Sequence, residues 1–251
     1  MLRLPQAREP REYAFEIRFL VDPALGEGIR EWTRARLTAD PHGSGPSGDQ
    51  YAISSLYFET ADYDVFRRQG SFGRSKYRIR RYNDGDVVFL ERKLRTSTLL
   101  TKRRTRLATG DLDRLTAPGP SPRWSGTWFH RRVAVRRLRP VCQLTYQRTA
   151  RVGVGEHGPF RVTLDQQVSV LPVSQVAFGA AVGTPLLRRG FILELKYRVA
   201  PPAAMRQLVE EFTLSPRRIS KYRLGVLALV DRMGGGLADL REAHTIELRY
   251  A

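Results

Sequence analysis

Hydrophobic and polar residues alternate in steps of two along much of the chain, the spacing that sends successive side chains to opposite faces of a strand. Tyr13, Phe15, Ile17 and Phe19 take one face of the first such segment, with Ala14, Glu16 and Arg18 on the other. Tyr77 and Ile79 oppose Lys76, Arg78 and Arg80; Leu90 and Leu94 oppose Glu91, Lys93 and Arg95; Val162 and Leu164 oppose Arg161, Thr163 and Asp165. The split is cleanest where Phe191, Leu193, Leu195 and Tyr197 face away from Glu194, Lys196 and Arg198. Helices are the minority. Asp22-Pro23 supplies an N-cap and a proline at the first helical position, and Leu25, Ile29, Trp32 and Leu37 give an amphipathic helix to about Thr38. Further helices are expected over 61–69, 127–138, 202–213 and 222–233. Clusters of glycine, proline and serine at 41–48, 117–126 and 234–236 read as loops within one domain. The 251 residues fit a single domain, 1–251, with 1–12 and 237–251 as peripheral tails.

Two arrangements accommodate this alternation. An antiparallel sheet usually turns its apolar face inward and its charges to water. The alternative is a closed sheet turned inside out, its apolar faces packed outward on helices and its charged faces lining a water-filled lumen. The polar faces here mix basic residues with isolated Glu, Asp, Thr and Tyr, which favours the second. The expected fold is therefore α+β, an antiparallel β tunnel or barrel with a charged lumen, surrounded by helices. Unpaired ions taken from water cost several kcal/mol each, so such a lumen demands counter-charges. Glu16, Glu91, Asp165 and Glu194 supply some. The neighbouring cations outnumber them, and a polyanion would supply the balance.

Charge sharpens the picture. The formal net charge is +18, from 43 Lys and Arg against 25 Asp and Glu. That implies an anionic partner: nucleic acid, a membrane surface, a nucleotide or a phosphate polymer. Only five of the cations are lysines, Lys76, Lys93, Lys102, Lys196 and Lys221. Lysine is a compact point charge suited to phosphate oxygens, whereas arginine is a flat bidentate fork. The single Cys142 excludes a disulfide within the chain and a cysteine-rich metal cage. His42, His130, His157 and His244 lack metal-ligand spacing. No helix-turn-helix, zinc-finger or RNA-recognition pattern stands out, so nucleic acid is not the expected partner. Residues 1–12 lack the apolar core of a signal peptide and no apolar stretch approaches about 20 residues, so a cytoplasmic location is expected. Asp62-Tyr63-Asp64 reads as the cap of a short helix. The Arg131 to Arg139 run is a separate basic patch, suited to solvent, to guiding an anionic polymer at a lumen mouth or to an acidic membrane surface.

In order along the chain stand Glu16-Ile17-Arg18-Phe19, Ser55-Leu56-Tyr57-Phe58-Glu59-Thr60, Lys76-Tyr77-Arg78-Ile79-Arg80-Arg81-Tyr82, Phe89-Leu90-Glu91-Arg92-Lys93 and Lys102-Arg103-Arg104. Tyr146-Gln147-Arg148, Arg161-Val162-Thr163-Leu164-Asp165, Leu193-Glu194-Leu195-Lys196-Tyr197 and Ser220-Lys221-Tyr222 follow. Together these resemble the polyphosphate polymerase domain of the vacuolar transporter chaperone (VTC) family, a relative of the CYTH triphosphate tunnel enzymes. The resemblance implies a tunnel holding ATP and a growing polyphosphate chain. It assigns phosphate gripping and catalysis to Arg78, Arg80, Lys93, Arg148, Arg161 and Lys221, with Ser220 beside Lys221 at a helix entrance where backbone amides face an anion. It assigns further substrate contacts to Arg18, Lys102, Tyr146 and Lys196, the last also placed to balance the tunnel carboxylates. Glu194 matches a carboxylate expected to hold Mn²⁺ or Mg²⁺. CYTH relatives begin with Glu-x-Glu-x-Lys, and here Ala14 and Arg18 replace the first Glu and the Lys. That weakens a two-metal triphosphatase as the reading. The expected reaction is transfer of the ATP γ-phosphate to polyphosphate; the alternatives are a non-catalytic polyphosphate-binding module and a metal-dependent triphosphatase. Some family members are coupled to membrane segments, so a separate membrane-protein partner is also an expectation.

Overall fold

The computed structural model describes residues 15–70, 73–95, 100–179, 182–187 and 189–233. Both expected tails, 1–12 and 237–251, thus lie outside the described residues. The alternating segments form ten strands: β1 (Phe15–Val21), β2 (Thr38–Ala39), β3 (Gln50–Glu59), β4 (Ser75–Tyr82), β5 (Val87–Arg95), β6 (Leu100–Ala108), β7 (Arg139–Gly155), β8 (Gly158–Pro172), β9 (Thr184–Pro185) and β10 (Phe191–Tyr197). They pair antiparallel in the order β1-β10-β8-β7-β3-β4-β5-β6, with β2 on β7 and β9 on β8. The expected closure is corrected here. Among the described residues no hydrogen-bonded ladder joins β1 to β6, so the sheet curls without closing. Side chains reach across the seam instead: Lys93 Nζ on β5 lies 3.1 Å from Glu16 Oε2 on β1.

The five expected helices are present as α1 (Pro23–Arg36), α2 (Asp64–Arg67), α3 (Thr127–Val135), α4 (Ala203–Glu211) and α5 (Lys221–Met233), and a 3-10 turn at Thr109–Leu115 was not anticipated. Asp22 caps α1 by accepting from the Leu25 amide at 2.9 Å. This helix ends before Thr38 because Leu37 turns extended and leads into β2. The cap of α2 is also corrected. Tyr63 occupies the cap position without a side-chain bond, and the amides of Val65 and Phe66 donate to buried Glu59 at 3.1 Å. One carboxylate thus satisfies the orphan donors at that helix start.

Two outer flanks of the curl are covered by helices as expected. Phe19, Val162, Leu164, Leu193 and Leu195 pack beneath α1 and α4, while Leu56, Tyr77, Ile79, Val88 and Leu90 pack beneath α3. The last helix departs from the expectation. Tyr222, Val226, Leu229 and Val230 of α5 pack on Tyr57, Leu144 and Val170, which share the inner face with Tyr146 and Arg148 through the two-residue period. α5 therefore lies inside the curl. Gly225 permits this: a Cβ there would stand 2.9 Å from Leu144 Cδ2 and 3.2 Å from Val170 Cγ2. The inner face is apolar along α5 and charged beyond its N-terminus.

Candidate functional site: a cation-rich lumen

Ladder register assembles the site. Across β3, β4, β5 and β6 the inward positions run Tyr57–Arg78–Glu91–Arg104 in one row and Lys76–Lys93–Lys102 in the next. On the other side Arg148 faces Asp165 across β7 and β8, Arg161 faces Lys196 across β8 and β10, and Glu194 faces Arg18 across β10 and β1. The curl brings these two sets to a common interior.

The most enclosed part is a charged knot at the start of α5. Arg148 grips Asp165 with a bidentate fork, Nε to Oδ1 at 2.6 Å and Nη2 to Oδ2 at 2.7 Å. Lys221 Nζ lies 2.6 Å from Asp165 Oδ2 and 2.8 Å from Glu194 Oε1, bridging the two carboxylates. Glu194 also meets Arg18 Nε at 3.2 Å, Lys196 Nζ at 3.2 Å and Arg148 Nη2 at 3.5 Å. Burial alone would raise the Glu194 and Asp165 pKa values, but Lys221 and Arg148 beside them hold both below the ordinary carboxylate range. The same carboxylates push Lys221 up against its own desolvation. Burial dominates at Lys196, which comes down to about 8 despite Glu194 and Glu16.

The β4–β6 wall is less enclosed. Arg78 Nε donates to Glu91 Oε2 at 2.6 Å and its Nη1 to Tyr57 Oη at 3.0 Å. Arg80 donates to Ser55 Oγ at 3.1 Å and Tyr146 Oη at 3.2 Å. Lys102 and Arg104 share Glu91 Oε1, at 3.5 and 3.3 Å. Desolvation would raise Glu91, and the charges of Arg78, Arg80, Lys102 and Arg104 pull it far below. Lys93 and Lys102 keep 37% and 46% of their side-chain surface open to solvent, against 9% for Lys221, so solvent access widens away from α5.

All twelve residues marked by the sequence therefore come together around this interior. Arg161 stands at its far margin, paired with Asp40 at 2.7 Å and donating to Tyr51. Ser220 precedes α5, accepting from Lys76 Nζ at 3.2 Å and from the Arg223 amide at 3.5 Å. Lys76 was assigned no phosphate contact, yet strand parity with Arg78 and Arg80 already put it on the inner face. Its ammonium is half-buried, held by the Ser220 hydroxyl and above the Tyr222 ring at 5.4 Å. Burial and the charges of Lys93, Arg18, Arg68 and Arg78 push it down to about 7. Arg104 and Tyr82 were also missed. Arg104 Nη2 donates to Tyr82 Oη at 3.2 Å, and Arg80 and Arg104 bring that phenol down to about 8 against the upward push of burial. The alternation of Lys102 with Arg104 was the available signal.

Among the described residues no group of three or more His, Cys, Asp and Glu is assembled for a metal. Both Glu194 oxygens already meet cations. A hard divalent ion shared with ligand phosphates needs only one or two protein carboxylates, and at Glu194 it would have to displace cations already on both oxygens. The donor set does not form a cage by itself.

An antiparallel sheet curled around inward-facing cations is the architecture of a triphosphate tunnel protein. The VTC domain model matches residues 14–230, and the chain belongs to the VTC domain family. Two solved structures share the fold at low identity. An adenylate cyclase candidate from Bacillus halodurans is 15% identical with a TM-score of 0.52, covering 83% of this chain and 94% of its own. The adenylyl cyclase candidate HpAC1 from Hippeastrum, described as having a dominant triphosphatase activity, is 14% identical with a TM-score of 0.50, covering 85% of this chain and 95% of its own. No curated protein matches the sequence. No described helix is long and apolar enough to cross a membrane.

Proposed function

We propose that this VTC domain is a polyphosphate polymerase that transfers the γ-phosphoryl group of ATP to the end of a polyphosphate chain and releases ADP. The observation that carries the proposal is the inner wall of β4, β5 and β6, where Arg78, Lys102 and Arg104 gather on Glu91, Lys93 meets the cross-seam Glu16, and Lys76 and Arg80 stand beside them on hydroxyl partners. Such a wall is suited to a ligand carrying several negative charges in a row. No side-chain nucleophile is required, because phosphoryl transfer proceeds through alignment and charge stabilisation. A terminal oxygen of the polyphosphate attacks the γ-phosphorus in line, and the bond from that phosphorus to the β–γ bridging oxygen breaks. Arg78, Arg80 and Lys93 hold the transferring group, and Arg148, Arg161 and Lys221 hold the remaining phosphates, with Arg18, Lys102, Lys196, Tyr146 and Ser220 as further contacts. Glu194 would hold Mn²⁺ or Mg²⁺ together with phosphate oxygens, a hard charge that offsets the developing negative charge on the triphosphate.

The test is incubation with ATP and Mn²⁺, with polyphosphate read on a gel, for the wild type beside Lys221→Ala and Glu194→Ala. Chain growth that both substitutions abolish supports the polymerase. Release of inorganic phosphate without chain growth indicates the triphosphatase reaction named for HpAC1, and polyphosphate binding without turnover indicates a binding module. Either result overturns the proposal.

A further inference from the structure

The outer face of the same strands carries a second concentration of cations, turned away from the lumen. Arg92 and Arg103 are directly opposed across β5 and β6, and Tyr77 is opposed to Arg92 across β4 and β5. These positions alternate with the inward Glu91, Lys93, Lys102 and Arg104, so the thickness of the sheet separates the two groups. α3 lies over this face: Trp128 Nε1 donates to Thr105 Oγ1 at 2.8 Å, and Phe129 meets the Tyr77 ring at 5.8 Å. Trp128, Arg132 and Arg136 follow one another at intervals of four, which places them on one side of the helix and its cap.

Like charges are thus drawn together from three elements. Arg103 rests on the Trp128 ring at 4.4 Å and Arg136 on the Tyr77 ring at 5.7 Å. Burial and the charges of Arg92 and Arg132 push the Arg103 guanidinium below its ordinary value. At Arg136, burial and the same two arginines do likewise, opposed by Tyr77. Two polar atoms beneath this cluster are buried without a hydrogen-bond partner: the hydroxyl of Tyr77, a residue 1% exposed, and Nε of Arg92. Both atoms belong to one cross-strand pair, among converging guanidiniums.

We infer that the outer face formed by Tyr77, Arg92, Arg103, Arg132 and Arg136 is a second phosphate-binding site, which takes a terminal phosphoryl group of a condensed phosphate. A phosphoryl group carries up to two charges and three acceptor oxygens, matching several arginine forks and a phenol better than a carboxylate does. The site does not depend on the reaction proposed for the lumen.

Calorimetric titration of the full chain with inorganic tripolyphosphate at low salt tests this. The wild type should show two classes of site. Arg92→Gln combined with Arg132→Gln should weaken one class by at least about tenfold, as expected for two lost charge-assisted bonds, and leave the other unchanged. Tyr77→Phe, which keeps the ring, should weaken the same class. Arg132→Gln alone, at an exposed position, serves if the double variant melts early. A single class in the wild type, or an isotherm that these variants leave unaltered, overturns the inference. So does sedimentation with phosphatidylglycerol vesicles that the double substitution abolishes and tripolyphosphate fails to compete, since the face would then belong to a lipid surface.

Discussion

Replacing Lys76 by Met removes a cation whose protonation the lumen itself opposes. The groups facing it are Lys93, Arg18, Arg68 and Arg78, with the Ser220 hydroxyl as its hydrogen-bond partner and the Tyr222 ring nearby. With its pKa near 7, Lys76 is only about one-tenth protonated at pH 8 in the empty lumen. A bound phosphate returns it toward its ordinary value of 10.5, so binding takes up about 0.9 proton at pH 8 and about 0.1 at pH 6. Titration of tripolyphosphate in two buffers of different ionisation enthalpy measures that uptake. The ligand's own phosphates and Lys196 titrate in wild type and Lys76→Met alike, and the difference between the two isolates Lys76. The same shift has a stability consequence. The unfolded chain binds the extra proton between about pH 7 and 10.5, so the wild type gains stability as pH rises through that window, and Lys76→Met should flatten the gain. A difference in uptake below about 0.2 proton at pH 8 would refute this account of the lumen.

Three further outcomes are expected. Asp165→Asn strips Arg148 and Lys221 of a shared carboxylate and should cost about 3 kcal/mol or more in urea unfolding; a loss below about 1 kcal/mol would show that Glu194 alone balances them. Gly225→Ala gains about 1 kcal/mol of helix propensity but crowds Leu144 and Val170, which costs about 1–3 kcal/mol, so a net loss in thermal unfolding is expected and a net gain would refute the packing of α5 inside the curl. Glu16 has its pKa lowered from 4.5 to about 2, where Lys196, Lys93 and Arg18 overcome burial and the repulsion of Glu194. Its contribution is present above about 4.5 and lost as pH falls toward 2, so Glu16→Gln should flatten urea midpoints between pH 5 and 3, and a parallel slope in the variant would count against the pairing.

The two-residue alternation carried most of the fold, because an inner face that is charged and an outer face that is apolar leave their period in every strand. It carried the lumen residues too: Arg78 and Arg80 needed only parity, and so did Lys76 and Arg104, which parity reached but family matching passed over. What alternation could not show is how far the sheet curls. Closure depends on strand stagger and twist summed over many strands, and no local pattern encodes that sum. The placement of α5 was hidden for a related reason. Its apolar residues show that it packs, but only their contacts with Tyr57, Leu144 and Val170, and the close approach of Gly225, show on which face. Glu59 was equally obscure: a carboxylate at a strand end gives no hint that it will collect amides from α2 and the hydroxyl of Tyr222.

The seam between β1 and the β5–β6 edge bears on how a long ligand, if the lumen takes one, would enter. A barrel laced shut by backbone hydrogen bonds admits a polymer only by threading from a free end. Here the contact from Lys93 to Glu16 spans the gap, and a partly solvated ion pair is worth about 1 kcal/mol or less. Among the described residues no ladder has to unzip to part it. If the lumen takes a polymer, as proposed above, the chain could be laid in broadside, mid-chain first, once this pair and the contacts of Arg18 and Lys76 with residues 217–220 part, and salt that screens the pair should ease the opening.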